Sequence, residues 1–238
     1  MKNNLSHSSV PKIVILAFII VAFIPFSSSA QNPAMEPAIE KLKAGKQFEK
    51  NGQYDKAIAS YQLALIIFSR HERLDGVAVS LQNIGMMYKS LGKYDKAIEH
   101  YQAALAIEHK LEREGKVSIL LSKTALMYQL IGQYNKALDY FERALAIEQK
   151  LGREAKVAIR LNNIGGIYAS LGQYDKAIGH YQQALAIKQE LGEKTATALN
   201  NIGTVYIKKG QYDKALEYFE KVLAIEQKTE KEANFATT

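Results

Sequence analysis

From residue 38 onward the apolar residues recur in steps of three and four. Across residues 161–191 they fall at Leu161, Ile164, Ile167, Tyr168 and Leu171, and after a polar break at Ala177, Ile178, Tyr181, Ala184, Leu185 and Leu191. Steps of that size gather side chains on one face of an α-helix, so the segment predicts two amphipathic helices. The break between them reads Gly172-Gln173-Tyr174-Asp175. Glycine suits the left-handed residue just past a helix C-terminus, where a Cβ would clash. Asp175 suits the N-cap of the next helix, its carboxylate accepting from unpaired backbone N–H groups.

The same pattern repeats along the chain. The phrase GQYDKAI at 52–58 returns in close variants at 92–98, 132–138, 172–178 and 210–216, with spacings of 40, 40, 40 and 38 residues. A fixed period of this length is the mark of a repeat architecture. Aligned, the copies share a turn glycine and a cap column of Asp55, Asp95, Asn135, Asp175 and Asp213. They also share two columns of small residues, one of Gly45, Gly85, Ala125, Gly165 and Gly203 and one of Ala57, Ala97, Ala137, Ala177 and Ala215. Small side chains let helices approach, while the aromatic column Phe48, Tyr88, Tyr128, Tyr168 and Tyr206 fills adjacent space. The spacing places five helix pairs at about 38–70, 78–110, 118–150, 158–190 and 196–228, with turns between pairs near Gly76, Gly115, Gly152 and Gly192.

The first thirty residues follow a different pattern. Residues 13–26 are apolar, Lys2 and Lys12 are the only charges before residue 31, and Ser28 and Ala30 stand where a signal peptidase needs small residues. This layout is that of a secretory signal peptide cleaved after Ala30, which makes the protein exported, periplasmic or extracellular. Fourteen apolar residues reach about 21 Å, short of the ~30 Å hydrocarbon core. The alternative is a membrane anchor extending over residues 10–26. Residues 31–37 then read as a linker and 229–238 as a flexible tail.

A small residue, two positions and then Tyr; Gly, one position and Tyr; Ala, three positions and Tyr or Phe: in this order the motifs resemble the tetratricopeptide repeat, over residues 38–228. The long period resembles the variant found in kinesin light chains and in bacterial proteins with tandem Leu-Asn-Asn-Ile-Gly units. Two features depart from the family pattern. Leucine (Leu81, Leu121, Leu161, Leu199) holds the usual Trp position, and the proline at the end of each unit is absent. The resemblance implies an all-α fold, an α-solenoid of five helix-turn-helix units forming a right-handed superhelix, with first helices lining a concave groove. It also implies a non-enzymatic protein–protein interaction module.

Composition removes most chemistry. With no cysteine among 238 residues there are no disulfides, thiolate metal sites or Cys nucleophiles. No nucleophile, phosphate-loop, metalloprotease or dinucleotide motif occurs, so no catalytic residue, metal or cofactor is expected. His100 and His180 share one column two repeats apart, the spacing of solvated helix residues rather than of a metal site. Loss of residues 1–30 leaves 29 basic against 24 acidic side chains. The ladder Lys56, Lys96, Lys136, Lys176 and Lys214 is interleaved with acids, which reads as a solvated surface rather than a nucleic-acid site.

The family's groove-facing positions carry the one constellation that asks for a reason. They read Leu42-Lys43, Gln82-Asn83, Ser122-Lys123, Asn162-Asn163 and Asn200-Asn201. Asparagine is unfavourable in mid-helix, and its amide offers two donors and an acceptor that match an extended peptide backbone. One reading is therefore a groove of Gln82, Asn83, Lys123, Asn162, Asn163, Asn200 and Asn201 that grips a protein or peptide partner, with Lys43 and Lys46 as a basic lip. The other is a set of hydrogen bonds between repeats that fixes their pitch. The family's basic clamp for a C-terminal carboxylate is poorly matched, since Leu42, Lys46 and Ile119 do not fit it. At the far end the last repeat has an apolar edge, which pairs with another copy if the protein self-associates. Membrane contact is expected only through an uncleaved signal.

Overall fold

In the computed structural model the described residues are 33–235, with side chains described as far as 227, so the signal reading of residues 1–30 lies outside them. A short 3-10 turn at Pro33–Met35 leads into ten α-helices: α1 (Glu36–Lys50), α2 (Tyr54–Arg70), α3 (Leu74–Ser90), α4 (Tyr94–Lys110), α5 (Glu114–Leu130), α6 (Tyr134–Lys150), α7 (Glu154–Ser170), α8 (Tyr174–Glu190), α9 (Ala196–Lys208) and α10 (Tyr212–Phe235). Among the described residues there is no strand, and the protein is all-α. Backbone packing divides the chain after Lys116 into two compact bodies. The first holds repeats one and two (α1–α2 and α3–α4), the second the bulk of repeats three to five (α5–α6, α7–α8 and α9–α10).

Within each repeat the turn is built by the backbone. Gly52, Gly92, Gly132, Gly172 and Gly210 all have φ between 69° and 75°. At the first, the Gly52 N–H donates to Glu49 O at 3.0 Å and the Gln53 N–H to Phe48 O at 2.9 Å, and the other four turns repeat this pattern. This crossed pair satisfies carbonyls left over at the helix end and requires a left-handed residue at its apex. The cap expectation needs correction. Gln53, Lys93, Gln133 and Gln173 occupy the N-cap positions, none with a side-chain capping bond. Asp55, Asp95, Asn135 and Asp175 are the second residues of their helices. There the three carboxylates lie among the first turn's exposed N–H groups and favour the positive end of the helix dipole.

The turns between repeats differ more from expectation. Gly152 (φ 63°) and Gly192 (φ 65°) do form them, but Gly76 and Gly115 lie inside α3 and α5. The left-handed positions in the first two connections are Glu72 and Glu112, each at φ 53°. They keep the same hydrogen bonds, Glu72 N–H to Ser69 O at 3.2 Å and Arg73 N–H to Phe68 O at 2.9 Å. The first helices of repeats two to four consequently start at residues 74, 114 and 154, about four earlier than the spacing suggested. Gly76 serves close packing instead, since the Phe68 ring lies 2.3 Å from where its Cβ would be. The last helix runs to Phe235, past the expected end at 228.

The small column explains the packing inside each pair. A Cβ on Gly45, Gly85, Gly165 or Gly203 would stand 2.5–2.9 Å from the ring of Tyr61, Tyr101, Tyr181 or Phe219 on the second helix. The rings are seated on bare helix backbone, and Tyr61 and Tyr101 are almost fully buried. Successive pairs join through apolar knobs. In the first body Ala57, Ile58 and Tyr61 meet Ile84 and Met87. In the second, Ala137 and Phe141 meet Ile164 and Ile167, and Ala177, Ile178 and Tyr181 meet Ile202 and Val205.

Candidate functional site

The first helices present a stripe that the core does not use. Positions i, i+4 and i+7 share a helix face. In α1 they are Ile39, Lys43 and Lys46, all exposed, and in α3 Val79, Asn83 and Met86, the first exposed and the others half-buried. In the second body α5 carries Ile119, Lys123 and Leu126, α7 carries Ile159, Asn163 and Gly166, and α9 carries Thr197, Asn201 and Thr204. Ile39, Val79, Ile119, Ile159 and Leu126 are among the large hydrophobic side chains left exposed. Each body thus carries a polar column beside an apolar one: Lys43 and Asn83 beside Ile39 and Val79 in the first, and Lys123, Asn163 and Asn201 beside Ile119 and Ile159 in the second. The motif reading chose the polar column and missed the apolar. The signal was available, since a β-branched residue returns every 40 positions where solvent should favour a polar one.

In the second body the amides come together. Asn201 Nδ2 on α9 donates to Asn162 Oδ1 on α7 at 2.9 Å, half-buried, so the first helices of adjacent repeats lie side by side with their stripes facing the same way. This is the bond between repeats that the asparagines left open as a second role, and it engages one donor of Asn201 and one acceptor of Asn162. The remaining N–H groups and the Asn201 carbonyl keep hydrogen-bonding capacity. Asn163 is half-buried and Asn200 exposed. The bond is not repeated where the sequence lacks the second amide. In repeat three the column holds Ser122, whose hydroxyl donates to Ser118 O of its own helix at 2.8 Å. In the first body Gln82 and Asn83 are half-buried, and Leu42 rather than an amide holds the matching column of the preceding repeat.

The other candidate columns turn out to be packing. Each ladder lysine lies over the aromatic of its own repeat: Lys56 over Phe48, Lys96 over Tyr88, Lys136 over Tyr128, Lys176 over Tyr168 and Lys214 over Tyr206, at 5.2–5.8 Å from the ring centroids. Cation–π attraction accounts for a lysine at that site in every repeat. The same rings meet a second aromatic from the other helix of the pair. Tyr88 contacts His100 at 5.2 Å, Tyr128 contacts Tyr140 at 5.4 Å, Tyr168 stacks on His180 at 5.3 Å and Tyr206 on Tyr218 at 5.6 Å. His100 Nδ1 donates to Lys96 O at 2.8 Å. Burial pulls the pKa of both histidines below the ordinary imidazole value, opposed at His100 by the Lys96 carbonyl and Glu99 and at His180 by Glu142. The histidines are members of a ring pair.

Sequence reasoning missed a buried acid at the end of two second helices. Glu148 is fully buried on α6; it accepts from Ser118 Oγ at 2.6 Å and lies 3.6 Å from Arg153 and 4.0 Å from Arg160. Burial lowers the Arg160 pKa while Glu148 opposes that shift. In the first body Glu108 holds the same column, 3.7 Å from Arg113 and 3.4 Å from Lys116. One repeat beyond Glu148 the charges are exchanged, Lys188 meeting Glu193 at 3.4 Å. These ion pairs clasp the turn between repeats. They lie at helix ends, off the stripe.

Comparison with known proteins agrees with this geometry. The sequence pattern of the family described as tetratricopeptide repeat matches residues 41–108, 116–190 and 156–228. No curated protein sequence matches the chain. Among solved structures, BtubC (BKLC) from P. vanneervenii superposes with a TM-score of 0.71 at 23% identity, covering 84% of this chain and 93% of that one. A putative kinesin light chain from Podosopora anserina with nearly identical TPR-like repeats gives 0.71 at 21% identity, covering 84% and 99%. The apo form of RapI gives 0.76 at 23% identity, covering 84% of this chain and 56% of that one. These likenesses are of fold. Given the matched residues and five helix pairs built on one pattern, the chain belongs to the tetratricopeptide repeat family.

Proposed function

We propose that this chain is an exported interaction scaffold that holds an extended segment of a partner protein along the outward stripe that the first helices of each body present. Tetratricopeptide repeats serve protein–protein interaction, and that coarser role follows from family membership. The observation that carries the finer reading is the double column. Within each body an exposed apolar side chain recurs beside an amide or lysine, at Ile39 and Val79 in the first and at Ile119 and Ile159 in the second, and a strand-like segment matches that pattern. Such a segment on the second body would turn alternate side chains toward Ile119 and Ile159 and its backbone toward the amides. The Asn162–Asn201 bond supports the same reading by fixing one pair of amides before a ligand arrives. A Rap protein related in fold is described as complexed with competence and sporulation factor. Export rests on the layout of residues 1–30 alone.

The test is selection from a phage-displayed random-peptide library on the immobilised chain. Enriched sequences should carry alternating apolar residues. Those bound near the basic α1 stripe should add acidic ones, and Ile159→Asp should abolish a share of the selection. Equal enrichment on the Ile159→Asp variant would sink the reading.

A further inference from the structure

The last helix carries an apolar face that interior repeats keep covered. Ile58 on α2 and Ile178 on α8 are each 7% exposed, because α3 and α9 lie over them. The same column in α10 is Leu216, at 57% exposure. Two turns on, the column that is half-buried at Leu65, Leu145 and Leu185 becomes Leu223, at 54%. Tyr212 is exposed where Tyr54, Tyr134 and Tyr174 are half-buried. Residues 212, 216 and 223 fall on one helical stripe.

The chain's own α1 does not supply the missing cover. The helices that cover these columns bring Ile84 and Met87 of α3 with its C-cap Leu91, or Ile164 and Ile167 of α7 with its C-cap Leu171. In α1 the same columns are Ala44, Gln47 and Asn51, with Gln47 Nε2 donating to Asn51 Oδ1 at 3.5 Å. A repeat whose outer face meets water needs such a polar surface. The α1 columns have one and the α10 columns do not. A head-to-tail contact would set two polar side chains against Leu216 and Leu223, where α3 and α7 offer apolar ones.

The face is, however, complementary to itself. Leu216 and Leu223 are seven residues apart, two helical turns. A second α10, antiparallel about a two-fold axis beside Phe219 and Glu220, sets Leu216 of each copy against Leu223 of the other. That contact is isologous and closes at two subunits. We infer that a second copy of this chain covers the α10 face, joining two molecules through antiparallel α10 helices. The contact continues the packing that the interior repeats make through the same columns.

Sedimentation velocity of the purified chain over a hundredfold concentration range should show a reversible monomer–dimer equilibrium without higher species. The double variant Leu216→Glu/Leu223→Glu should weaken it tenfold or more, since two leucines leave water in the parent dimer. Its circular dichroism should be unchanged, because both side chains are exposed within the monomer. The absence of cysteine permits a second readout. On oxidation Glu220→Cys should give a covalent dimer, and Gln47→Cys none. A monomer at every concentration, a dimer indifferent to the two glutamates, or cross-links formed only between Gln47→Cys and Glu220→Cys molecules would each overturn the inference.

Discussion

Two single residues carry strain that their equivalents avoid. Glu72 and Glu112 hold the left-handed apex that Gly152 and Gly192 hold in later connections, at nearly the same φ. An L side chain there costs roughly 1–2 kcal/mol, while glycine loses more chain entropy on folding. The balance predicts that Glu72→Gly and Glu112→Gly each stabilise the fold by about 0.5–1 kcal/mol, and Gly152→Ala should act in reverse. Urea titration of the three variants checks this. The histidines make a second prediction at this scale. A buried imidazole with a lowered pKa takes up its proton in the unfolded chain first. Stability is therefore fully present above the unfolded value of about 6.5 and falls as pH drops below it toward the folded values. Tyrosine fills this column in repeats three and five, at Tyr140 and Tyr218. The double variant His100→Tyr/His180→Tyr should keep its ring pairs and lose less melting temperature between pH 7 and 5 than the parent.

The helices were legible in the sequence because five copies of one pattern constrain each other. The turn glycine and the small column could be read from spacing, but the ring seated on the small residue is the second helix's, Tyr181 on Gly165 for example, and not the Tyr168 column that the spacing suggested. What escaped was whatever departs from the pattern. Glu72 and Glu112 were unreadable as turn apices because glycine nearby offered a better local candidate. The capping role assigned to Asp175 failed by two positions, a difference that periodicity cannot resolve. The buried acids were hidden because Glu148 looks like any helix-surface glutamate until Ser118, Arg153 and Arg160 are seen around it. Removing that charge would leave Arg160 without its counter-charge in a buried site. Glu148→Gln should therefore destabilise the second body by about 3 kcal/mol, although the amide can keep the Ser118 bond. Thermal denaturation compared with the exposed-pair variant Lys188→Gln, expected to cost under about 1 kcal/mol, separates the two cases.

At the scale of the molecule, the sequence exposed the polar half of the candidate site and concealed the apolar half. Asparagines in mid-helix violate helix propensity and draw notice. Isoleucines in a helix look like core until solvent exposure shows that Ile39, Ile119 and Ile159 are not. On the two proposals, separate faces of the protein have distinct uses. The first-helix stripe has an apolar column with amide and lysine neighbours, suited to an extended chain, and α10 has a leucine stripe suited to its own copy. The most direct test of the central claim is calorimetric titration of a library-selected peptide into the parent, Asn163→Ala, Ile159→Asp and Lys176→Ala. Loss of the Asn163 amide should weaken binding by about 0.5–1.5 kcal/mol, Ile159→Asp by more, and Lys176→Ala, off the stripe, by nothing measurable. Equal affinity of the parent and both stripe variants would contradict the account.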